Sequence, residues 1–337
     1  MAISNVHNTV VPGLILIGIR GQDSGASKRL GIHAFYYPLF SYSNQTWNDC
    51  NTIFKKDRPM RIGVVITTYN SPNWLTRVLW GYEQQSHSDF ETIIADDGSG
   101  TPTRDVIRHF QQRGRLNLRH VWHEDIGFRK TMILNKAIQE TPCDYLIFTD
   151  GDCVPRHDLV ETHARYAEPG HLLSAGYFKL TMDVSWKVDE DAISSGKAFQ
   201  FRWLRAQGQP WSLRSLRCTQ SSRLARFLDT VTTTRPTWNG ANSSGWKSDL
   251  LAVNGFDERL RYGGLDRELG ERLTNFGIRG KQIRYSAVCL HLDHKRSYDT
   301  PETWVFNNSI REAVRRDRIK WTPFGILQSS SEERKVA

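Results

Sequence analysis

The chain has 337 residues, 39% of them hydrophobic, which is material for one large or two small globular domains. Its formal net charge of +9 favours an anionic partner: a nucleotide sugar, phospholipid headgroups or nucleic acid. The longest apolar run, residues 10–19, is too short to span a bilayer, is broken by Pro12, Gly13 and Gly18, and follows no basic residue, so neither a membrane span nor a signal peptide is expected. Cys50, Cys143, Cys153, Cys218 and Cys289 are odd in number and contain no Cys-x-x-Cys, a pattern that suits reduced thiols in a cytosolic protein.

Residues 1–58 show no stable period and read as an appended N-terminal extension of poor order. The character changes at Arg61. Ile62-Gly63-Val64-Val65-Ile66-Thr67 reads as a strand, and Ser71 with Pro72 as a helix start. Trp74, Leu75, Val78, Leu79 and Tyr82 then share one helical face. A strand at residues 91–95 ends in Asp96-Asp97-Gly98-Ser99, and a helix with Val106, Ile107 and Phe110 inside follows. Residues 118–122 form a third strand and residues 130–139 a third helix, with Met132, Ile133, Ala137 and Ile138 inward. Tyr145-Leu146-Ile147-Phe148-Thr149 is a buried strand that stops abruptly at Asp150-Gly151-Asp152.

This alternation predicts a doubly wound, mostly parallel α/β sheet. Its polar strand ends (Thr67 to Asn70, Asp96-Asp97, Asp150 to Asp152) then line one edge, where ligands bind in such sheets. Two carboxylates placed there can hold a hard divalent cation, with Gly151 letting the backbone approach a phosphate. A second acidic triplet, Asp189-Glu190-Asp191, follows no comparable strand and reads as a solvated turn. No Gly-x-Gly-x-x-Gly or P-loop pattern is present.

The second half is less regular. Arg202, Arg205, Arg214, Arg217, Arg223 and Arg226 crowd a stretch with no acid between them; a solvated helix face, an acceptor or membrane patch and an RNA strip all fit. Thr237-Trp238-Asn239-Gly240-Ala241-Asn242-Ser243-Ser244-Gly245 reads as a binding loop. Asp266 opens a helix with Leu269, Leu273 and Phe276 inside and Gly277 at its close. A strand at residues 281–290 runs into His291-Leu292-Asp293-His294, and a basic helix from Thr300 leads to Trp321-Thr322-Pro323-Phe324-Gly325. Most of the eleven tryptophans are expected in the core.

Thr67-Thr68-Tyr69-Asn70, Asp96-Asp97-Gly98-Ser99, Gly127-Phe128-Arg129, Asp150-Gly151-Asp152, Gly255-Phe256-Asp257 and Gly263-Gly264-Leu265-Asp266, in this order, resemble an inverting family 2 glycosyltransferase of the GT-A fold. The resemblance covers residues 61–294, and the Trp321 to Gly325 tail also looks like bacterial members. The second half is similar to chondroitin-polymerase and galactosyltransferase C-terminal segments. The resemblance implies a nucleotide-sugar-binding half at residues 59–180, an irregular acceptor and catalytic half at 181–294, and a basic C-terminal helix and tail at 295–337.

Residue by residue, it implies that Thr67 and Tyr69 frame the base, Asp97 accepts from a uracil, Asp150 with Gly151 faces the ribose side, and Arg129 and Asn135 line the nucleotide pocket. Asp152 would ligate Mn²⁺ or Mg²⁺, with His291 more than His294 completing the shell; a carboxylate with imidazole leans towards Mn²⁺. Asp266 would be the catalytic base, kept ionised by the helix N-terminus. Trp238, Asn239, Gly264 and Leu265 would face sugar or acceptor; for Trp238 and Trp246 both stacking on sugar faces and packing fit. Leu265 stands where many members carry a glutamate, which puts donor or acceptor choice at issue.

The implied activity is metal-dependent transfer of a hexose or N-acetylhexosamine from a UDP-sugar to a glycan or lipid-linked acceptor. By resemblance the setting is bacterial lipopolysaccharide or capsule synthesis, in the cytoplasm at the inner face of the cytoplasmic membrane. The alternatives are a non-catalytic sugar- or polyanion-binding protein on the same fold, and a nucleotidyltransferase. Nucleic acid is not expected as a partner, since no recognised module is present.

Overall fold

The computed structural model describes residues 59–294 and 300–327. The expected N-terminal extension, residues 1–58, and the end of the basic tail lie outside the described residues. The described residues from Met60 onward form one compact unit, so the two expected halves share a single body.

The branched runs read from the sequence become strands buried on both faces: β1 (Ile62–Thr68), β2 (Phe90–Asp96) and β4 (Tyr145–Asp150), with the half-exposed β3 (Asn117–Trp122) at the edge. Four more follow, β5 (Cys153–Pro155), β6 (His171–Lys179), β7 (Ser243–Trp246) and β8 (Arg279–His291), giving the order β3-β2-β1-β4-β7-β6-β8-β5. Six strands point one way; β7 and β5 are antiparallel to their neighbours. The chain leaves β1 for β2 and β3 on one side and returns to β4 on the other. The crevice between β1 and β4 is therefore the topological switch point, where such sheets take their ligands.

Helices cover both faces. On one, α1 (Pro72–Glu83) buries the five expected side chains, and α2 (Thr101–Arg113) buries Ile107 and Phe110. Pro72 opens α1, although the Ser71 side chain makes no capping bond. On the other face α3 (Lys130–Glu140) packs Ile133, Ala137 and Ile138 against Leu146 and Phe148 of β4. At about 25 cal/mol per Å² such aliphatic burial supplies most of the drive to fold.

Past α4 (Leu159–Tyr166) come the short helices α5 (Met182–Lys187), α6 (Glu190–Ser194) and α7 (Phe201–Ala206), a 3₁₀ turn at Leu213–Cys218, and α8 (Ser222–Val231). The Asp189 triplet is a helix start rather than a free turn: the Asp189 carboxylate accepts from Ala192 N and caps α6. The expected binding loop ends early, because Ser243–Trp246 pairs with β4 as β7. After α9 (Lys247–Ala252), α10 (Leu265–Phe276) begins one residue before Asp266, on Gly264 in the left-handed conformation (φ 82°). The long α11 (Pro301–Arg316) then leads to the tail.

The tail explains one motif. Asp257 accepts from Thr322 Oγ1 at 2.7 Å, Asn254 Nδ2 donates to Thr322 O at 2.7 Å, and Arg259 lies 3.8 Å over the Phe324 ring. Gly255-Phe256-Asp257 and Trp321 to Gly325 thus fasten to each other, and both serve the fold.

Candidate active site

β1 and β4 bring Thr67 beside Asp150 in register, and Thr67 Oγ1 donates to Asp150 Oδ1 at 2.8 Å. The same oxygen takes a 2.6 Å ion pair from Lys130, the first residue of α3. Burial works against the Lys130 charge, but Asp150, Asp266 and Asp152 hold it well above the ordinary lysine value. Lys130 is the central cation of the site, and sequence reasoning missed it; its one signal was adjacency to Gly127-Phe128-Arg129.

At the end of β2 the two aspartates divide. Asp96 is fully buried, accepting from Ser99 N and pairing with His120, so it closes the turn. Asp97 meets His123 Nε2 at 2.7 Å and Arg129 N at 3.0 Å, and burial pushes its carboxyl up. Tyr69 is half exposed and donates to Asp125 at 2.8 Å. One residue departs from expectation. Asn135 is buried and bonds Phe256 and Glu258, which makes it a strut between α3 and the 254–257 loop and takes it out of the nucleotide pocket. Gly151 is also required by packing, since a Cβ there would sit 2.8 Å from Thr67 O. Arg129 contributes its backbone N–H to Asp97, while its Nε is buried with no partner among the described residues.

β5 and β8 pair Cys153 with His291, which carries Asp152 up to the end of β8. Asp152, His291 and His294 each present a ligand atom, all within 4.8 Å of one another, so both imidazoles reach the site instead of one. His294 Nε2 is 3.0 Å from Asp152 Oδ2. His291 Nδ1 lies 2.9 Å from Leu292 O; a carbonyl only accepts, so Nδ1 carries the proton and Nε2 is left with its lone pair. Burial opposes the Asp152 charge, yet His291 and His294 hold its carboxyl down at about 2. One ionised carboxylate with two imidazoles is a donor set that fits a divalent ion.

Asp150, Asp266 and His291 open onto one cavity of about 480 Å³, whose wall also includes Lys130, Tyr177 and Trp304. Asp266 is not held ionised by the helix start. Burial, opposed by Lys130, pushes its carboxyl up to about 6, and its Oδ1 is buried without a hydrogen-bond partner among the described residues. Gly240 makes room for it, since a Cβ there would lie 2.9 Å from both carboxylate oxygens.

All four expected sugar contacts, Trp238, Asn239, Gly264 and Leu265, border the cavity, though two of them are buried side chains. Trp238 does not offer a stacking face: it is 0% exposed and packs edge-on to Phe148. Leu265 is buried in the same core. Trp246 is half buried against Tyr145 and donates to Glu168 O. The exposed tryptophan on the wall is Trp304, 38% exposed and laid against Gly263, with Tyr177 and Tyr262 also lining it. More widely, Trp74 and Trp238 are buried and Trp80, Trp203 and Trp246 pack against the core, while Trp122, Trp186, Trp211, Trp304 and Trp321 are exposed, so about half of the described tryptophans are core rather than most.

Residues 63–215 match the family described as glycosyl transferase family 2. The chain belongs to this family. An uncharacterized Bacillus subtilis glycosyltransferase is 33% identical over 284 residues, covering 70% of this chain and 65% of that protein. Validoxylamine A glucosyltransferase of Streptomyces hygroscopicus is 28% identical over 232 residues, 64% of this chain and 52% of the relative, so the chain spans about half the length of that protein. Among solved structures, Staphylococcus aureus TarS residues 1–349 in complex with UDP superposes with a TM-score of 0.50 at 16% identity, over 77% of this chain and 68% of the other. That likeness establishes the GT-A fold. This family 2 enzyme therefore has its switch-point crevice, carboxylates and imidazoles at the edge where the fold takes ligands.

Proposed function

We propose that this enzyme transfers a hexose or N-acetylhexosamine from a UDP-sugar to a hydroxyl of a glycan or glycolipid, with inversion. The observation that carries the reading is the shared cavity of Asp266, His291, Asp150 and Lys130. Asp97 and Tyr69 stand at the neighbouring strand ends as the base-binding side, and Thr67 with Asp150 as the ribose side. Asp152, His291 and His294 would hold Mn²⁺ in preference to Mg²⁺, because imidazole suits the softer ion. When bound, the ion would neutralise charge on the departing diphosphate.

The acceptor oxygen forms its bond to the anomeric carbon from the face opposite the leaving group, and the bond to the diphosphate oxygen breaks with its electron pair. Asp266 takes the hydroxyl proton. A carboxyl near 6 is more basic than an ordinary aspartate and still mostly ionised at neutral pH, which is the balance a general base needs. Trp304 supplies the flat apolar face for a sugar ring. The TarS neighbour binds UDP and the Streptomyces relative is a glucosyltransferase, both in line with this donor class.

The test is a panel of nucleotide sugars with Mn²⁺, scored by nucleotide release and product anomer, on wild type and Asp266→Asn. A retained anomer, or pyrophosphate as product, would overturn the reading. Binding without any turnover would favour the non-catalytic alternative.

A second observation favours work at a membrane face in surface-polysaccharide assembly. Trp211, Leu213, Phe227 and Val231 are 65%, 73%, 60% and 51% exposed, beside the exposed Arg202, Arg205, Arg223 and Arg226. Among the described residues no helix is long and apolar enough to cross a membrane. Co-sedimentation with phosphatidylglycerol vesicles at low salt, but not with phosphatidylcholine vesicles, is expected; equal recovery in both supernatants counts against it.

A further inference from the structure

We propose that Arg214, Arg217 and Arg284 form a docking site for an anionic group, a phosphate or carboxylate, carried by the acceptor. This rests on the donor assignment above and names the acceptor's chemistry. All three side chains line the cavity that holds Asp266. Among the described residues none has a carboxylate within ion-pair distance.

The guanidinium groups are built in and left unsatisfied. Arg217 donates through Nη1 to Tyr177 O and lies 5.8 Å over the Tyr177 ring; Arg284 donates through Nη2 to Arg235 O at 3.3 Å. The Nε of each is buried without a partner among the described residues. A buried donor left unmade costs about 1–3 kcal/mol, so a pair of them in a pocket marks where a ligand supplies acceptors.

The backbone beneath Arg284 is arranged to hold it there. Pairing of β6 with β8 slips from Ala175–Ile283 to Gly176–Val288, which leaves residues 284–287 as a bulge. Gly176 admits that bulge, because any Cβ would collide with Arg284 O. Asp229 of α8 pins it, accepting from Tyr285 N at 2.8 Å and Ser286 N at 3.2 Å. Asp229 therefore spends its oxygens on backbone. Burial, with like charge from its arginine neighbour, lowers both Arg217 and Arg284.

Different residues stand ready for the donor diphosphate. The Tyr177 ring touches both groups, 5.8 Å from the Arg217 guanidinium and 5.6 Å from the His291 ring. Asp152, His291 and His294 are already placed for a metal-bound diphosphate. An anion on the arginines would then share the cavity with Asp266 without using the metal ligands.

The experiment uses the full chain loaded with Mn²⁺ and UDP, titrated calorimetrically with methyl glucoside, methyl glucuronide and methyl glucoside 6-phosphate. The charged glycosides should bind about tenfold tighter or more, as charge-assisted bonds to guanidinium predict. Arg217→Gln and Arg284→Gln should erase that preference, and Arg214→Gln, on an exposed side chain, should narrow it with no folding risk. Equal affinity for all three glycosides would overturn the proposal. So would variants that lose Mn²⁺·UDP affinity in step with the phosphate, since the arginines would then hold the donor. If Mn²⁺·UDP fails to bind wild type, the donor reading falls on its own, and the same glycoside series on the free protein still decides the anion site.

Discussion

Lys130 Nζ lies 2.6 Å from Asp150 Oδ1, the oxygen that also accepts from Thr67 Oγ1 at 2.8 Å. The ammonium answers two carboxylates at once, because it also lowers the raised pKa of Asp266. Lys130→Met removes this counter-charge while keeping the stem. The Asp266 carboxyl should then rise further above about 6, and the acidic limb of the rate–pH profile should move up with it. Turnover is expected to fall more at pH 6 than at pH 9. A limb that stays put would show that Lys130 does not govern the base.

Asp266 itself makes a paired prediction on activity and stability. Asp266→Asn should cut transfer by roughly 10²–10⁴-fold, the usual worth of a positioned base. Its folded carboxyl, about 6, lies above the ordinary aspartate value of 3.8, so between those values the native state binds more protons than the unfolded one. Stability therefore falls as pH rises through that window, and the penalty is complete above it. Asp266→Asn relieves the penalty, so its melting temperature should exceed wild type at pH 8 and match it near pH 3.5. Paired thermal scans at the two values read this directly.

The strands that frame the crevice were legible because each is buried on both faces and reads as an unbroken branched run, as in Ile62 to Ile66 and Tyr145 to Phe148. Helix α1 was legible from spacing alone. β7 was not, since Ser243, Ser244 and Gly245 carry no apolar pattern and join the sheet through partners far along the chain. β6 was passed over for a similar reason, its Ser174 and Gly176 interrupting the run. The burial of Trp238 depends on Phe148, and that of Asn135 on Phe256, 121 residues away. Such pairings leave no local trace. The two metal-side imidazoles could be named from sequence but not counted, because only the β5–β8 register brings both to Asp152.

The trio predicts its own metal behaviour. His291→Gln and His294→Gln should each weaken Mn²⁺ by about tenfold or more, and Asp152→Asn should weaken it further by removing the one charged ligand. Titration with Mn²⁺ alone measures this without substrate. An unchanged isotherm in His294→Gln takes that residue out of the site.

Asn135 should behave as a strut. Its amide donates to Phe256 O and Glu258 Oε1 and accepts from Phe256 N, all with the side chain buried. Asn135→Ala leaves those backbone groups unpaired and should cost about 2 kcal/mol in urea unfolding. Affinity for Mn²⁺·UDP should stay within about twofold of wild type, a change too small to indicate a lost contact. A large loss of nucleotide affinity without loss of stability would restore Asn135 to the pocket.

His163 carries the opposite pH sign from Asp266. It is fully buried between Ser244 Oγ, 2.7 Å from Nδ1, and Asn242 Oδ1, 2.9 Å from Nε2. The Asn242 amide is oriented by its own bonds, Nδ2 donating to Gly176 O and Ala287 O, so Oδ1 faces the ring. Nε2 then carries the proton and Nδ1 accepts from Ser244, a neutral ring with no carboxylate among its hydrogen-bond partners. Burial accordingly pulls the imidazole down to about 4 from 6.5. Over that window the unfolded chain binds a proton the native state refuses, so stability is present above pH 6.5 and drains as pH falls. At about 1.4 kcal/mol per pH unit, the loss by pH 4.5 is roughly 2–3 kcal/mol. Urea unfolding from pH 7 to 4.5, compared between Asp266→Asn and Asp266→Asn with His163→Gln, should show this loss as the difference between the two, because the remaining raised carboxyls such as Asp249 are common to both. A native imidazole that titrates near 6.5 by NMR would remove the basis for the prediction.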